Sequence, residues 1–197
     1  MKKILKQSIP QPIGIYHHIA WTITPRPVWI VGTANQDGTP NLSTITCVSN
    51  TPGPPENIIV SMAAKRTIQN ILRTGEFTLN LVNAEMALLA DYVGSVSGAD
   101  CVKNAVPYEF LWGSSLFLPV LDASHCVFEC KVSHTHIIGD FHTFFGEVIN
   151  LHLDSNLTPP KGPQDALIKW FKEIDIHAMN PLVYHSIRKY FRVGETV

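Results

Sequence analysis

A short run of cationic, hydroxyl and amide side chains has the clearest chemical character in this sequence. Lys65 and Arg66 come directly before Thr67, and Asn70 follows three residues later. A phosphate monoester needs positive charge together with several fixed donors, and the first turn of a helix supplies unpaired backbone N–H groups. Because Thr67 is a favoured helix N-cap, we expect a phosphate site where a short helix begins. The alternative is an ordinary solvated Lys–Arg pair before a capped helix.

A second group of polar side chains lies mostly in one predicted strand. Asn41, Ser43, Thr44 and Thr46 place amide and hydroxyl groups at neighbouring positions, and Ser61 adds another from a later strand. Such a lining satisfies the polar edge of a flat heterocycle while adjacent apolar residues support its ring. The alternative is that these residues only contact their cross-strand neighbours, as Thr and Ser commonly do in sheets.

The hydrophobic pattern predicts that these residues are positioned by a mainly β fold. Residues 28–33 form an apolar strand that ends at Asn-Gln-Asp-Gly, a sequence typical of a tight hairpin turn. Further strands are predicted over 57–62, 76–82, 125–138 and 141–153, and helices over 67–74, 84–93 and 164–174. Short connections between the strands indicate an antiparallel β-barrel with helices packed against it, rather than an alternating α/β sheet. In the strand 125–138 the even positions are expected to face the core, which leaves Glu129 on the other face.

Length and composition predict a single domain over residues 1–197, with its core at about 23–151 and a C-terminal helical extension over 163–197. A net charge of -1 indicates neither a nucleic-acid partner nor an anionic membrane surface. No segment approaches the roughly 18 apolar residues of a membrane span, and the four cysteines form no CxxC pair, so we expect a cytoplasmic protein. The nine histidines show no zinc-type spacing, and we expect no metal site.

Several motifs follow one another in a specific order along most of the chain. They are TPRPVWIVGT, NQDGTPNLSTIT, PPENIIVSM, KRTIQNI, TGEFTLNLV, FECKV and GDFHTFFGEV. Each motif is weak alone, but the ordered combination resembles the flavin reductase-like family. This family consists of FMN-binding split barrels and includes flavoredoxins and NAD(P)H:flavin oxidoreductases.

The resemblance implies a Greek-key-like antiparallel barrel of six strands, a homodimer, and FMN bound near the subunit interface. The phosphate contacts that it implies fall on Lys65, Arg66, Thr67 and Asn70. The implied contacts to the isoalloxazine ring and the ribityl chain fall on Asn41, Ser43, Thr44, Ile45, Thr46, Ser61 and Met62.

The resemblance also implies a candidate catalytic residue, His142. Related reductases carry a histidine beside the flavin in a Gly-Asp-His motif, whereas this chain reads Gly139-Asp140-Phe141-His142 and is one residue longer. Because a shift of one residue reverses side-chain facing in a strand, the alternative is that His142 points away from the flavin.

The implied function is an oxidoreductase that passes reducing equivalents from NADH or NADPH through bound FMN to free flavin or another small acceptor. Because the sequence has no GxGxxG fingerprint, the nicotinamide donor is expected to bind only transiently. One alternative is a flavoredoxin-like electron-transfer protein that is reduced by a protein donor. Another is a flavin-storing or purely structural split barrel that has lost redox activity.

Overall fold

The computed structural model describes residues 23, 25–63, 65–98, 103, 105–185 and 189–194, and this part of the chain is mainly β. The strands are β1 (Arg26–Pro27), β2 (Trp29–Ala34), β3 (Pro40–Ile45), β4 (Val48–Asn50), β5 (Asn57–Ala63), β6 (Glu76–Leu81), β7 (Phe110–Trp112), β8 (Pro119–Leu121), β9 (Cys126–Ile138), β10 (Phe141–Leu153), β11 (Leu182–Tyr184) and β12 (Tyr190–Arg192). The α-helices are α1 (Arg66–Thr74), α2 (Ala87–Ser95) and α3 (Gln164–Glu173).

The main sheet has seven strands in the order β3-β2-β6-β9-β10-β5-β4. Every neighbouring pair in it is antiparallel, which confirms the predicted mainly β, antiparallel architecture. The two edge strands, β3 and β4, are consecutive in the chain and are separated by only Thr46 and Cys47. The sheet therefore curls back towards its own beginning and forms the wall of a half-barrel.

The β2–β3 hairpin contributes to two separate hydrophobic cores. Its turn contains Gly38 at φ 81°, as the Asn-Gln-Asp-Gly sequence predicts. Val31 points into the inner core, which lies inside the curled sheet and includes residues of α1. The next residue towards the N-terminus, Ile30, points into the outer core beneath α2. Because both faces of β2 are covered, this strand is nearly continuous in apolar residues.

Helix α1 begins at Arg66, two residues before the start expected with Thr67 as the N-cap, and Thr67 is not its N-cap. Lys65 occupies the N-cap position and makes no side-chain capping hydrogen bond. Thr67 lies in the first turn, where its hydroxyl accepts a hydrogen bond from the side chain of Asn41 (Nδ2–Oγ1 3.0 Å). The capping prediction is wrong because a residue distant in sequence uses the hydroxyl that the local pattern assigned to the helix. Gly75 ends the helix at φ 72°, as predicted.

The predicted long strands are confirmed as β9 and β10, and Glu129 lies on the face opposite the inner-core residues Phe128 and Cys130, as the alternation predicts. This second face is not open to solvent. Glu129 is fully buried, because the loop of residues 113–118 folds over this face of the sheet. The carboxylate accepts hydrogen bonds from the backbone N–H groups of Ser114, Ser115 and Leu116. It also accepts from the side chains of Asn150 (3.0 Å) and His152 (2.6 Å). A buried carboxylate with this many donors holds the loop against the barrel.

The C-terminal part of the chain is less helical than expected. Helix α3 agrees with the pattern, but β11 and β12 follow it and form a three-stranded sheet with β1. Leu182 of β11 is buried in the outer core, and its N–H donates to the carbonyl oxygen of Val82 at 2.8 Å. Residues 182–184 are extended because they cover the end of the main sheet, a tertiary role that helix propensity does not reveal.

Replacing Glu129 by Gln is expected to destabilise the fold and to change its acid sensitivity. Burial alone raises the pKa of Glu129, but the hydrogen bonds from Asn150, His152 and the loop amides outweigh burial and lower the pKa to about 2. Since the ordinary value is 4.5, the ionised group stabilises the fold above pH 4.5, and this stabilisation is lost as the pH falls towards 2. We expect Glu129→Gln to lower the free energy of unfolding at pH 7 by about 2 kcal/mol.

Urea unfolding at pH 7 and at pH 3, followed by circular dichroism, measures both effects. Glu147→Gln is the matched control, because Glu147 is an exposed carboxylate on the neighbouring strand, β10. We expect the difference between Glu129→Gln and the control to shrink at pH 3. Equal stability of the two variants at pH 7 would contradict this role of Glu129.

Candidate functional site

An open cleft of about 270 Å³ lies between the edge of the main sheet, the first turn of α1 and the end of α2. Ten of the eleven residues that the resemblance assigned to cofactor contacts line it, and only Asn70 does not. These ten are Asn41, Ser43, Thr44, Ile45, Thr46, Ser61, Met62, Lys65, Arg66 and Thr67. The fold therefore brings together side chains from β3, β5 and α1 that are up to 26 positions apart in sequence.

The wall of the cleft includes the edge strand β3, and no strand of the described part of the chain pairs with its outer backbone groups. The carbonyl oxygen of Leu42 points away from β2, because it accepts a hydrogen bond from Lys103 Nζ at 2.7 Å. Backbone groups alternate in direction along an antiparallel strand, so the N–H and C=O of Thr44 also point outward. Thr44 thus offers a backbone donor and a backbone acceptor to the polar edge of a planar ligand.

One end of the cleft has the properties of an anion site. Lys65 is exposed, Arg66 is half-buried, and both line the cleft beside the first turn of α1. This turn contains no acidic side chain, and Lys65 gives it no side-chain cap. The N–H groups of Arg66, Thr67 and Ile68 have no acceptors within the helix, and the helix dipole adds partial positive charge there. The arrangement suits a phosphate group.

Beneath this end of the cleft lies a buried network of hydroxyl and amide groups. The amide nitrogen of Asn41 donates to Thr67 Oγ1 (3.0 Å) and to Thr33 Oγ1 (3.1 Å). The amide nitrogen of Asn70 donates to the same Thr33 oxygen (3.1 Å) and to Asn35 Oδ1 (3.0 Å). Asn70 therefore joins α1 to the β2–β3 hairpin beneath the cleft, and its side chain is not on the cleft surface.

Two of the hydroxyls predicted to contact the ring or the ribityl chain have protein partners. Thr44 Oγ1 donates to the carbonyl oxygen of Ala90 at 2.6 Å and so holds α2 against β3. Ser61 Oγ accepts from the hydroxyl of Thr143 at 3.1 Å. The alternative of a contact with a cross-strand neighbour thus applies to Ser61, whereas Thr44 contacts a helix; both residues also line the cleft.

His142 does not line the cleft, and its neighbour Phe141 does. His142 lies on the same face of β10 as the buried core residue Phe144, and the two rings stack with centroids 5.9 Å apart. Its Nδ1 is buried and has no hydrogen-bond partner among the described residues. The extra residue after Gly139-Asp140 moves the histidine one position along the strand. Because successive side chains in a strand point to opposite faces, Phe141 instead of the histidine lies at the cleft.

Several residues of the cleft could not be recognised as site residues from the sequence around them. Gly94 and Gly98 lie at the end of α2 and just beyond it, and Lys103 reaches over from the segment that follows. A Cβ on Gly98 would lie 2.4 Å from Asn41 Oδ1, so only glycine allows the backbone to approach the cleft wall this closely. Cys47 also lines the cleft, and its side chain is exposed.

Known proteins share the sequence pattern and the fold of this chain. A model of the flavin reductase like domain matches residues 21–194. The fold is similar to flavoredoxin from Methanosarcina acetivorans, with 25% identity, coverage of 100% of this chain and 94% of that chain, and a TM-score of 0.77. It is similar to an FMN-binding protein from Thermus thermophilus, with 18% identity, coverage of 100% and 98%, and a TM-score of 0.75. It is also similar to nitrilotriacetate monooxygenase component B from Bacillus cereus, with 17% identity, coverage of 100% and 98%, and a TM-score of 0.81.

The chain belongs to the flavin reductase-like family, since the family model covers most of its length. The split-barrel fold implied by the resemblance is confirmed. At the level of the family, the function is flavin-linked redox chemistry.

Two further observations concern the described residues only. They contain no group of three His, Cys, Asp or Glu side chains arranged to hold a metal ion. None of the helices in these parts of the chain has the length and apolar character needed to cross a membrane.

Lys103→Met is expected to loosen the cleft wall that α2 provides. Lys103 Nζ donates to the carbonyl oxygens of Leu42 and Val93, each at 2.7 Å, and so ties the end of α2 to β3. The methionine keeps the apolar stem but loses both charge-assisted hydrogen bonds. We expect the free energy of unfolding to fall by about 2 kcal/mol, measured by urea denaturation. The control Lys131→Met removes an exposed lysine of β9 and should leave stability within about 0.5 kcal/mol of the parent. An equally small effect of Lys103→Met would contradict this role.

Proposed function

We propose that this chain binds FMN in the cleft and passes reducing equivalents from NADH or NADPH to free flavin or another small acceptor. The observation that carries the proposal is the pairing of two features in one cleft. An uncapped, cation-flanked helix N-terminus lies at one end, and the outer backbone of an edge strand forms the wall. FMN has a phosphate and a flat polar-edged ring, and these are the two chemistries that the cleft residues fit.

The proposed contacts to the phosphate come from the start of α1. Lys65 and Arg66 supply positive charge, and the N–H groups of the first turn supply fixed donors. Thr67 supplies a hydroxyl, whose oxygen is held in place by the Asn41 amide. Asn70 belongs to the proposal as a support of α1, because its side chain is buried and faces β2.

The proposed contacts to the isoalloxazine ring come from β3, β5 and β10. Backbone groups of Thr44 point outward and suit the polar edge of the isoalloxazine, while Ile45, Met62 and Phe141 offer apolar surface to its faces. Bound FMN would supply the hydride and electron transfer chemistry, and the protein would hold and orient it. His142 is not included in the site, because its ring lies against Phe144.

The proposal includes a homodimer whose interface lies beside the cleft. The tip of the β9–β10 hairpin exposes three large apolar side chains, with Ile137 at 56%, Ile138 at 67% and Phe141 at 51% exposure. Phe141 belongs to the tip and to the cleft at once, so a second copy seated on the tip would border the bound ring. A cytoplasmic location remains part of the proposal, and the free thiols of Cys47, Cys126 and Cys130 support it.

The second candidate is an electron-transfer protein like flavoredoxin, which would receive electrons from a protein donor. The similarity to flavoredoxin over the full length of this chain favours it. The two candidates share the cofactor site and differ in the donor. Stopped-flow absorbance separates them: we expect NADH or NADPH to bleach the flavin band of the FMN-loaded protein within seconds. A band that stays oxidised with both nicotinamides, yet bleaches with reduced ferredoxin, would favour the second candidate.

The variant Lys65→Ala/Arg66→Ala tests the cofactor site. Removing both cations should weaken FMN binding by about a hundredfold, since each loses one charge-assisted contact to the phosphate. Fluorescence quenching of FMN on titration with the protein measures the Kd, and circular dichroism checks the fold. The matched control, Lys161→Ala/Lys172→Ala, removes two exposed lysines that do not line the cleft. Unchanged FMN affinity in the first variant would refute the phosphate assignment.

A further inference from the structure

Thr33 lies at the centre of the buried network beneath the proposed phosphate site, although it does not line the cleft. Its side chain is fully buried, and it lies directly opposite Asn41 in the β2–β3 hairpin. The Thr33 hydroxyl accepts from the amide nitrogens of Asn41 and Asn70, each at 3.1 Å. It donates its own proton to the backbone carbonyl of Asn41, at 3.4 Å.

The network leaves no freedom to the two amide groups. Each amide nitrogen carries two hydrogens, and each donates both: Asn41 to Thr33 and Thr67, and Asn70 to Thr33 and Asn35. Both amides are buried, so turning either one would leave a donor without an acceptor in a low-dielectric environment. The orientation of the Asn41 amide is thus fixed by Thr33.

The fixed orientation of the Asn41 amide determines whether the Thr67 hydroxyl acts as a donor or as an acceptor towards other groups. Thr67 Oγ1 accepts from Asn41, and among the described residues its own proton has no acceptor. Thr67 lines the cleft next to Arg66, at the end that suits a phosphate. A hydroxyl whose oxygen is held from one side is left to donate on the other, and here that side is the cleft.

We propose that Thr33 is a positioning residue for the flavin phosphate, acting through Asn41 on the hydroxyl of Thr67. The inference rests on the proposed FMN site and adds to it a residue that touches neither ring nor phosphate. The chain of hydrogen bonds runs from Thr33 to the Asn41 amide, and from the amide to Thr67. Its effect is specific to the phosphate, because only the phosphate would accept the Thr67 proton.

The test compares Thr33→Val with the parent protein in binding FMN and riboflavin. Valine keeps the shape and removes the acceptor for both amides. FMN should bind about tenfold more weakly, the loss of one hydrogen bond to a charged group, whereas riboflavin has no phosphate and should bind as it does to the parent. Thr33→Ser restores the hydroxyl and should restore FMN affinity to within about twofold. In a Thr67→Val background, Thr33→Val should cost no further FMN affinity.

The control is Thr78→Val, which removes another fully buried hydroxyl, bonded to the carbonyl of Pro119 and outside the cleft. It should lower stability and leave both affinities unchanged. If Thr33→Val does not fold, Thr33→Ala gives the same comparison without the valine methyl. Equal weakening of FMN and riboflavin, or no weakening of FMN, would overturn the role of Thr33 while the proposed function stands. A parent protein that binds neither ligand would overturn the proposed function as well.

Discussion

The placement of helix α1 depends on one constraint: the N–H groups of a buried side-chain amide need hydrogen-bond acceptors. Asn41 and Asn70 belong to different elements, and both donate to the single hydroxyl of Thr33. Helix α1 has nine residues and little stability of its own, so its position is set by these bonds and by the apolar side chains that it adds to the inner core. The same bonds bring its unpaired N–H groups to the edge of β3. The cleft follows from this placement.

The strands, the β2–β3 turn and the cation pair could be predicted because their signals are local. The alternation within a strand, the Asp-Gly turn and the run Lys65-Arg66-Thr67 are each confined to a few neighbouring residues. Contacts across the fold could not be predicted this way. Thr33 reads as an ordinary strand threonine, and Lys103 lies 61 residues after the carbonyl that it binds. Alternation correctly placed Glu129 on the face opposite the inner core, but no local signal indicates the loop of residues 113–118 that covers this face.

The cleft combines rigid and adaptable parts in a manner that suits flavin chemistry. Buried hydrogen bonds hold the end of the cleft where the phosphate is proposed to bind. The wall is the edge of a strand, whose backbone donors and acceptors are already in place and do not require a side chain to become ordered. The exposed Phe141 and hairpin tip lie at the border, where donor, acceptor or a second subunit would approach. At the border of the cleft the chain presents Phe141 in place of the histidine that the resemblance implied, and Lys65, Arg66 and Thr67 line the end proposed for the phosphate.

The central claim is that the first turn of α1 grips the phosphate of FMN. Backbone amide NMR shifts of the ¹⁵N-labelled protein, titrated with FMN and then with riboflavin, test it most directly. We expect FMN to shift the amides of Arg66, Thr67 and Ile68 while riboflavin leaves them unchanged, and both ligands to shift the amide of Thr44. Saturation of the protein with FMN without a shift of the amides of residues 66–68 would contradict phosphate binding at this turn.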